Sequence, residues 1–255
     1  MRRTASGTTI RYGRRRAQVG DLRLPATPGP HPVVIVLHGG FWQAVYGRRL
    51  MDRLSADLAD HGFAAWNLEY RRVGVGGGWP ATFLDVAAGV DAVARLPGVD
   101  AGRVTTLGHS AGGQLALWAA SRPGLPGGAP GASPAVAVRA AVALAGVVDL
   151  VDAATRGVGG PAVRQLLGGR PTNEPDRYAL ASPAARLPIG VPQLVVHGEA
   201  DRHVPVDMSR SYAEAASAAG DEVHLCTPAG VAHMDLLDPR SPAWTATLGW
   251  LEDRR

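Results

Sequence analysis

The chain has 255 residues, 46% of them hydrophobic and 19% charged, which is globular material with enough apolar side chain for a sizeable core. No stretch reaches the apolar length of a membrane span, and the Met1-Arg2-Arg3 start lacks the apolar run of a signal peptide. The net charge of +4 comes from 26 arginines and no lysine, with one dense basic run, Arg14-Arg15-Arg16. That run has no aromatic interleaving and no nucleic-acid motif around it, so it reads as a solvated face, and neither a nucleic-acid nor a membrane partner is expected. A single cysteine, Cys226, leaves no internal disulfide framework and fits a reducing, cytoplasmic compartment. Its position in a strand-like run predicts a buried, inert thiol.

Along the chain, residues 8–24 alternate as a hairpin would, with turn chemistry at Gly13 and at Gly20-Asp21. After a proline-rich connection, Val33 to Leu37 is a continuous apolar run, the mark of a strand covered on both faces. It ends in His38-Gly39-Gly40-Phe41-Trp42. A helix is expected over 47–61, a strand over 63–70, and a helix over 80–96 that turns Phe83, Val86, Val90 and Val93 inward. A strand over 104–107 runs into Gly108-His109-Ser110-Ala111-Gly112, followed by a helix-like run to Ala120. The Pro- and Gly-rich stretch 123–134 reads as a mobile surface loop. A strand over 138–145 follows, and 150–190 breaks the alternation, with one short helical piece at 161–167. Strand 192–197, helix 206–219, strand 222–226 and helix 242–252 complete the chain. Regular alternation implies a single α/β domain over 1–255 with a doubly wound, mostly parallel sheet. The 150–190 segment is expected to cap its C-terminal edge, where ligands bind in such sheets.

Gly-x-Ser-x-Gly between a strand and a helix is the context of a nucleophile elbow. Ser110 must sit in a strained conformation on a sharp turn, so Gly108 and Gly112 have to keep bulk away. A serine hydroxyl needs a base, and the elbow predicts the chain order Ser, acid, His. His31, His38, His61 and His109 precede Ser110; His197 and His224 fall in strands, and His203 lies too close to the acid. His233, in the loop after the last strand, remains as the base. For the acid, Asp201 past the strand at 192–197 is preferred to Glu199, nearer the strand end, and to Asp149. Negative charge developing on the substrate oxygen calls for backbone donors already in place. The Ala111 amide is one candidate; Gly39, Gly40 and Phe41 supply the others, with the choice among them open. His38 and Trp42 are assigned to bracing that loop or to touching substrate. No H-E-x-x-H or C-x-x-C pairing suggests a metal, and no cofactor is expected.

With these residues placed, the chain resembles the α/β-hydrolase superfamily over nearly its whole length, nearest the hormone-sensitive-lipase-like carboxylesterases and the kynurenine formamidases. His38 to Trp42 is similar to the formamidase HGGxW motif, which small carboxylesterases also carry. Glu69-Tyr70-Arg71, Trp79-Pro80 and Asp85 resemble a pattern of both branches. The resemblance implies a cofactor-independent hydrolase of a small ester or aryl amide, with Ser110, Asp201 and His233 as the triad. N-formylkynurenine-type arylformamidase is the specific expectation and short-chain carboxylesterase the alternative. A catalytically silent ligand-binding relative is the alternative from another class. Monomer and homodimer are both open.

Overall fold

All seven residues of β3 (His31–Leu37) are buried, as a strand sandwiched between helices must be. The computed structural model describes residues 7–255, so the Arg2-Arg3 pair lies outside it. Alternate β3 side chains go to opposite faces. Val33, Ile35 and Leu37 pack in one core with Phe83 of α2 (Ala81–Asp91) and Leu115 of α3 (Ala111–Ala120). Val34 and Val36 pack in the other with Leu54 and Leu58 of α1 (Asp52–Asp60) and Trp244 of α8 (Pro242–Glu252).

Around β3 lie β1 (Thr8–Arg11), β2 (Val19–Arg23), β4 (Ala64–Leu68), β5 (Val99–His109), β6 (Ala140–Leu144), β7 (Gln193–Val196) and β8 (Val223–Cys226), in one eight-stranded sheet ordered β1-β2-β4-β3-β5-β6-β7-β8. β1 and β2 pair antiparallel, as do β2 and β4; the other five pairings are parallel. This is the doubly wound, mostly parallel α/β sheet that the alternation implies. Parallel strands deliver all their C-terminal ends to one rim, and the loops after β3, β4, β5, β7 and β8 gather there.

Several local expectations need correction. Gly20-Asp21 is not a turn but the middle of β2, paired with Leu68 and Asn67. Gly20 is needed because the ring of Trp66 sits 2.5 Å from where its Cβ would be. The segment 150–190 holds three helices: α4 (Leu150–Arg156), α5 (Ala162–Leu167) and α6 (Pro175–Ala181). α4 starts at Asp149, whose side chain accepts from the Val151 and Asp152 amides, and stops at left-handed Gly157. These helices meet the loops of the rim: the Trp79 amide donates to Leu166 O (2.7 Å), and Gln114 Nε2 to Ala181 O (2.8 Å).

The stretch 123–134, expected to be a mobile excursion, is tied down. Arg122 is buried and donates to Gly131 O (2.7 Å) and, through both terminal nitrogens, to Asp91 (3.1 and 2.8 Å). Cys226 is half-buried at the end of edge strand β8 rather than buried, and desolvation pushes its thiol up. Among the described residues no helix is long and apolar enough to cross a membrane.

Candidate active site

The turn from β5 into α3 places Ser110 at φ 55°, ψ −119°, a conformation that costs on the order of 1–3 kcal/mol and persists only where surroundings over-determine it. Here they do. The Ser110 amide donates to Leu144 O (2.8 Å), and its carbonyl accepts from Gly113 N (2.9 Å) and Gln114 N (3.2 Å). The motif glycines have a steric cause. A Cβ on Gly108 would stand 2.0 Å from the Gly112 carbonyl oxygen, and one on Gly112 2.1 Å from that of Leu37. The crossing of β5, α3 and the end of β3 is therefore a backbone-on-backbone contact.

His233 lies in the loop after β8. Its Nδ1–H donates to Asp201 Oδ2 at 2.6 Å, and its carbonyl accepts from His109 Nε2 at 3.0 Å. The second bond ties the His233 loop to the residue preceding Ser110. Burial, and then the neighbouring His233 charge, push the His109 imidazole down to about 3 against the pull of this bond, so the ring stays neutral with its proton on Nε2. Among the described residues Ser110 Oγ makes no hydrogen bond, to His233 or to anything else. In ligand-free hydrolases this contact is often long and tightens only with substrate bound.

Asp201 follows β7 in a tight loop. Its Oδ1 accepts from the amides of His203 (2.7 Å) and Val204 (3.0 Å), while Oδ2 receives His233 and lies 3.2 Å from His197 Nε2. Burial opposes ionisation, but the hydrogen bonds from His197, His233 and the Val204 amide outweigh it and hold the carboxyl well below the usual carboxylate range. The rival acids are engaged elsewhere: Asp149 caps α4, and Glu199 pairs with Arg210 at 2.9 Å.

The loop after β3 carries positive φ at Gly40 (108°), Phe41 (53°) and Trp42 (56°). Gly39 abuts the elbow, where a Cβ would come 3.1 Å from Ser110 Cβ. Among the described residues the amides of Gly40, Phe41 and Ala111 have no hydrogen-bond acceptor. His38 and Trp42 are buried and face away from solvent. His38 stacks on Tyr70 (centroids 4.3 Å apart, planes at 4°), and both its ring nitrogens face oxygens, Gly39 O at 2.8 Å and Glu69 Oε1 at 2.9 Å. Tyr70 donates from its hydroxyl to His38 O (2.7 Å), and Trp42 Nε1 donates to Gln114 Oε1 (3.1 Å). These contacts hold the strained loop.

Three supporting residues escape a sequence reading. Glu69 receives His38; burial opposes its ionisation, yet His38 and Arg72 hold its carboxyl low. His197, set aside as a strand residue, lies one position beyond β7, where Nε2–H donates to Val204 O (2.9 Å) beside Asp201 and Nδ1 meets Ser209 Oγ (2.7 Å). Its i,i+4 spacing from Asp201 across a glycine-containing turn was the available signal. His203, discarded as too near the acid, stacks on His233 with centroids 4.9 Å apart. Asp201, His203 and His233 thereby present potential metal-ligand atoms within 4.8 Å of one another, a grouping that sequence spacing does not reveal. Two backbone amides and His233 already donate to that carboxylate.

Residues 21–215 match the BD-FAE family model. The chain is 30% identical over 256 residues to the esterase LipC of Mycobacterium tuberculosis, an alignment that takes in 93% of this chain and 62% of that protein. The chain thus spans a little under two thirds of that relative's length. Among solved structures, a carbohydrate esterase from gut microbiota superposes with a TM-score of 0.85 at 23% identity, covering 100% of this chain and 98% of the other. A butyrate-bound esterase from Thermogutta terrifontis superposes with a TM-score of 0.77 at 23% identity, covering 98% and 94%. The chain is a member of the BD-FAE family and has the α/β-hydrolase fold.

Proposed function

We propose that this chain is a serine esterase that cleaves short-chain carboxylic esters through an acyl-enzyme on Ser110. The observation that carries the reading is the 2.6 Å bond from His233 Nδ1 to Asp201 Oδ2, made by a loop anchored beside the strained Ser110. With its Nδ1 proton committed to Asp201, His233 has Nε2 free as the base. Ser110 Oγ gives its proton to Nε2 and bonds to the ester carbonyl carbon. The oxygen of the tetrahedral adduct takes the amide of Ala111 and one from among Gly39, Gly40 and Phe41, donors that make no other bond among the described residues. Protonated His233 then gives its proton to the departing alkoxide, and water repeats the sequence to release the acid.

Esterase activity among the family's relatives supports the ester over other acyl substrates, and the butyrate held by the Thermogutta esterase supports a short acyl group. A second reading, hydrolysis of an N-formyl aryl amide, rests on His38-Gly39-Gly40-Phe41-Trp42 alone. A panel of nitrophenyl acetate, nitrophenyl butyrate and formylkynurenine separates the two. Higher kcat/KM on the short esters is expected; a preference for formylkynurenine would replace the esterase reading with the formamidase one.

A further inference from the structure

The Arg14-Arg15-Arg16 run, which composition assigns to a solvated face, borders a cavity of about 640 Å³ lined by Arg15, Arg16, Glu69, Arg71, Arg72 and Val75. The topology explains how the arginines meet. β2 runs antiparallel to β4, so the β1–β2 turn is delivered to the C-terminal end of β4, and Glu69, Arg71 and Arg72 directly follow that strand. The turn is fixed in place. Tyr12 donates from its hydroxyl to Glu69 O (2.6 Å), Gln18 Nε2 donates to Asp85 Oδ1 (2.7 Å), and the Arg15 amide donates to Gln18 Oε1 (2.9 Å).

The charges in this cleft do not balance. Arg71 is neutralised by a two-pronged pair with Asp85 (2.8 and 2.7 Å). Glu69 is shared between His38 and Arg72, whose Nε is buried 3.4 Å from Oε1 but outside hydrogen-bonding geometry. Arg15 and Arg16 are exposed and have no ion-pair partner among the described residues, and residues 1–6 contain no acidic side chain. Four arginines against two carboxylates leave two positive charges uncompensated around one concavity.

Guanidinium groups match carboxylate and phosphate oxygens in a planar, two-pronged geometry that an ammonium lacks. The geometry points to a binding site for the carboxylate or phosphate group of an anionic ligand, held by Arg15 and Arg16; Arg72, whose Nη1 donates to the Ala44 and Tyr46 carbonyls, adds only its charge at the back. The cleft is separate from the elbow. Between them runs the loop after β3, which pairs through Gln43 with Val73 and bonds through Trp42 O to the Val73 amide (2.8 Å). The site does not depend on the esterase reading, because its test reads binding rather than hydrolysis.

The test is calorimetric titration of the full chain at low, fixed ionic strength. Pyrophosphate serves as the phosphate probe and citrate as the carboxylate probe, with sodium chloride as a matched control. Saturable binding of at least one probe, and none of chloride, is expected. The Arg15→Ser/Arg16→Ser double variant, whose fold is verified by its melting temperature without anion, should bind at least about tenfold more weakly, since it loses both uncompensated guanidiniums. Binding of pyrophosphate alone, or citrate alone, would say which group the site takes. Absence of saturable binding by either probe, or affinity in the double variant within about twofold of wild type, would overturn the assignment.

Discussion

Replacing Asp201 by Asn removes one charge and changes almost no volume, so it isolates what the carboxylate does. Three hydrogen bonds converge on Asp201, from the His203 and Val204 amides to Oδ1 and from His233 Nδ1 to Oδ2, and His197 Nε2 lies 3.2 Å from Oδ2. An asparagine has only one oxygen. Turned toward the two backbone amides, it leaves its NH₂ facing His233 and His197. His197 retains Val204 O as an acceptor at 2.9 Å, so the misfit falls on His233. That ring can meet an NH₂ only by accepting at Nδ1, which moves its proton to Nε2, the nitrogen that must receive the Ser110 proton. The opposite orientation sets NH₂ against two fixed amides, each costing about 1–3 kcal/mol. The wrong tautomer should therefore dominate, and kcat on nitrophenyl butyrate should fall about 10³- to 10⁴-fold with the melting temperature only modestly lowered. Steady-state kinetics with a parallel thermal melt measure both. A kcat within about tenfold of wild type would refute the tautomer argument.

Three further outcomes follow from the packing and the buried charges. His109 is held neutral down to about 3 in the folded chain, whereas it protonates near 6.5 when unfolded. Folding stability should therefore drop as pH falls below about 6.5, by up to roughly 1.4 kcal/mol per pH unit from this group. His109→Gln should flatten that slope in guanidinium titrations between pH 7 and pH 5, and parallel curves for the two proteins would contradict the assignment. Gly112→Ala places a methyl 2.1 Å from the Leu37 carbonyl oxygen, an overlap between backbones that cannot relax locally, so soluble folded protein should be lost. A wild-type melting temperature in that variant would be inconsistent with the crossing described. Arg122→Leu strips the buried partner from Asp91 and frees the 123–134 stretch. It should cost about 2–4 kcal/mol, below the full value for a wholly buried pair because Asp91 retains some exposure, and it should open a proteolytic site in that stretch.

The fold was readable because its signals are mutually consistent. The apolar run of β3, the Gly-x-Ser-x-Gly turn and the order Ser110, Asp201, His233 each point to the same rim. What escaped was of three kinds. Gly20-Asp21 carries turn chemistry but sits in a strand, because the Trp66 ring, distant in sequence, takes the space of a side chain. Local propensity cannot report that. The second kind is support across elements. Glu69 behind His38, His197 behind Asp201, and Arg122 under the 123–134 stretch are polar residues whose partners lie on neighbouring strands or loops. Their burial follows from topology. Of the three helices of 150–181, α5 answers to the short piece expected at 161–167, while α4 and α6 are missed for a simpler reason: each has seven residues, too short for a helical period to stand out among glycines and prolines.

The most direct test of a catalytic Ser110 is covalent. Incubation with a fluorophosphonate followed by peptide mass spectrometry should show one adduct per chain, on Ser110, with loss of ester hydrolysis in step with labelling. Ser110→Ala should take up no label. An unlabelled chain that still hydrolyses esters, a label on another residue, or near-wild-type turnover in Ser110→Ala would contradict the assignment of Ser110 as the nucleophile.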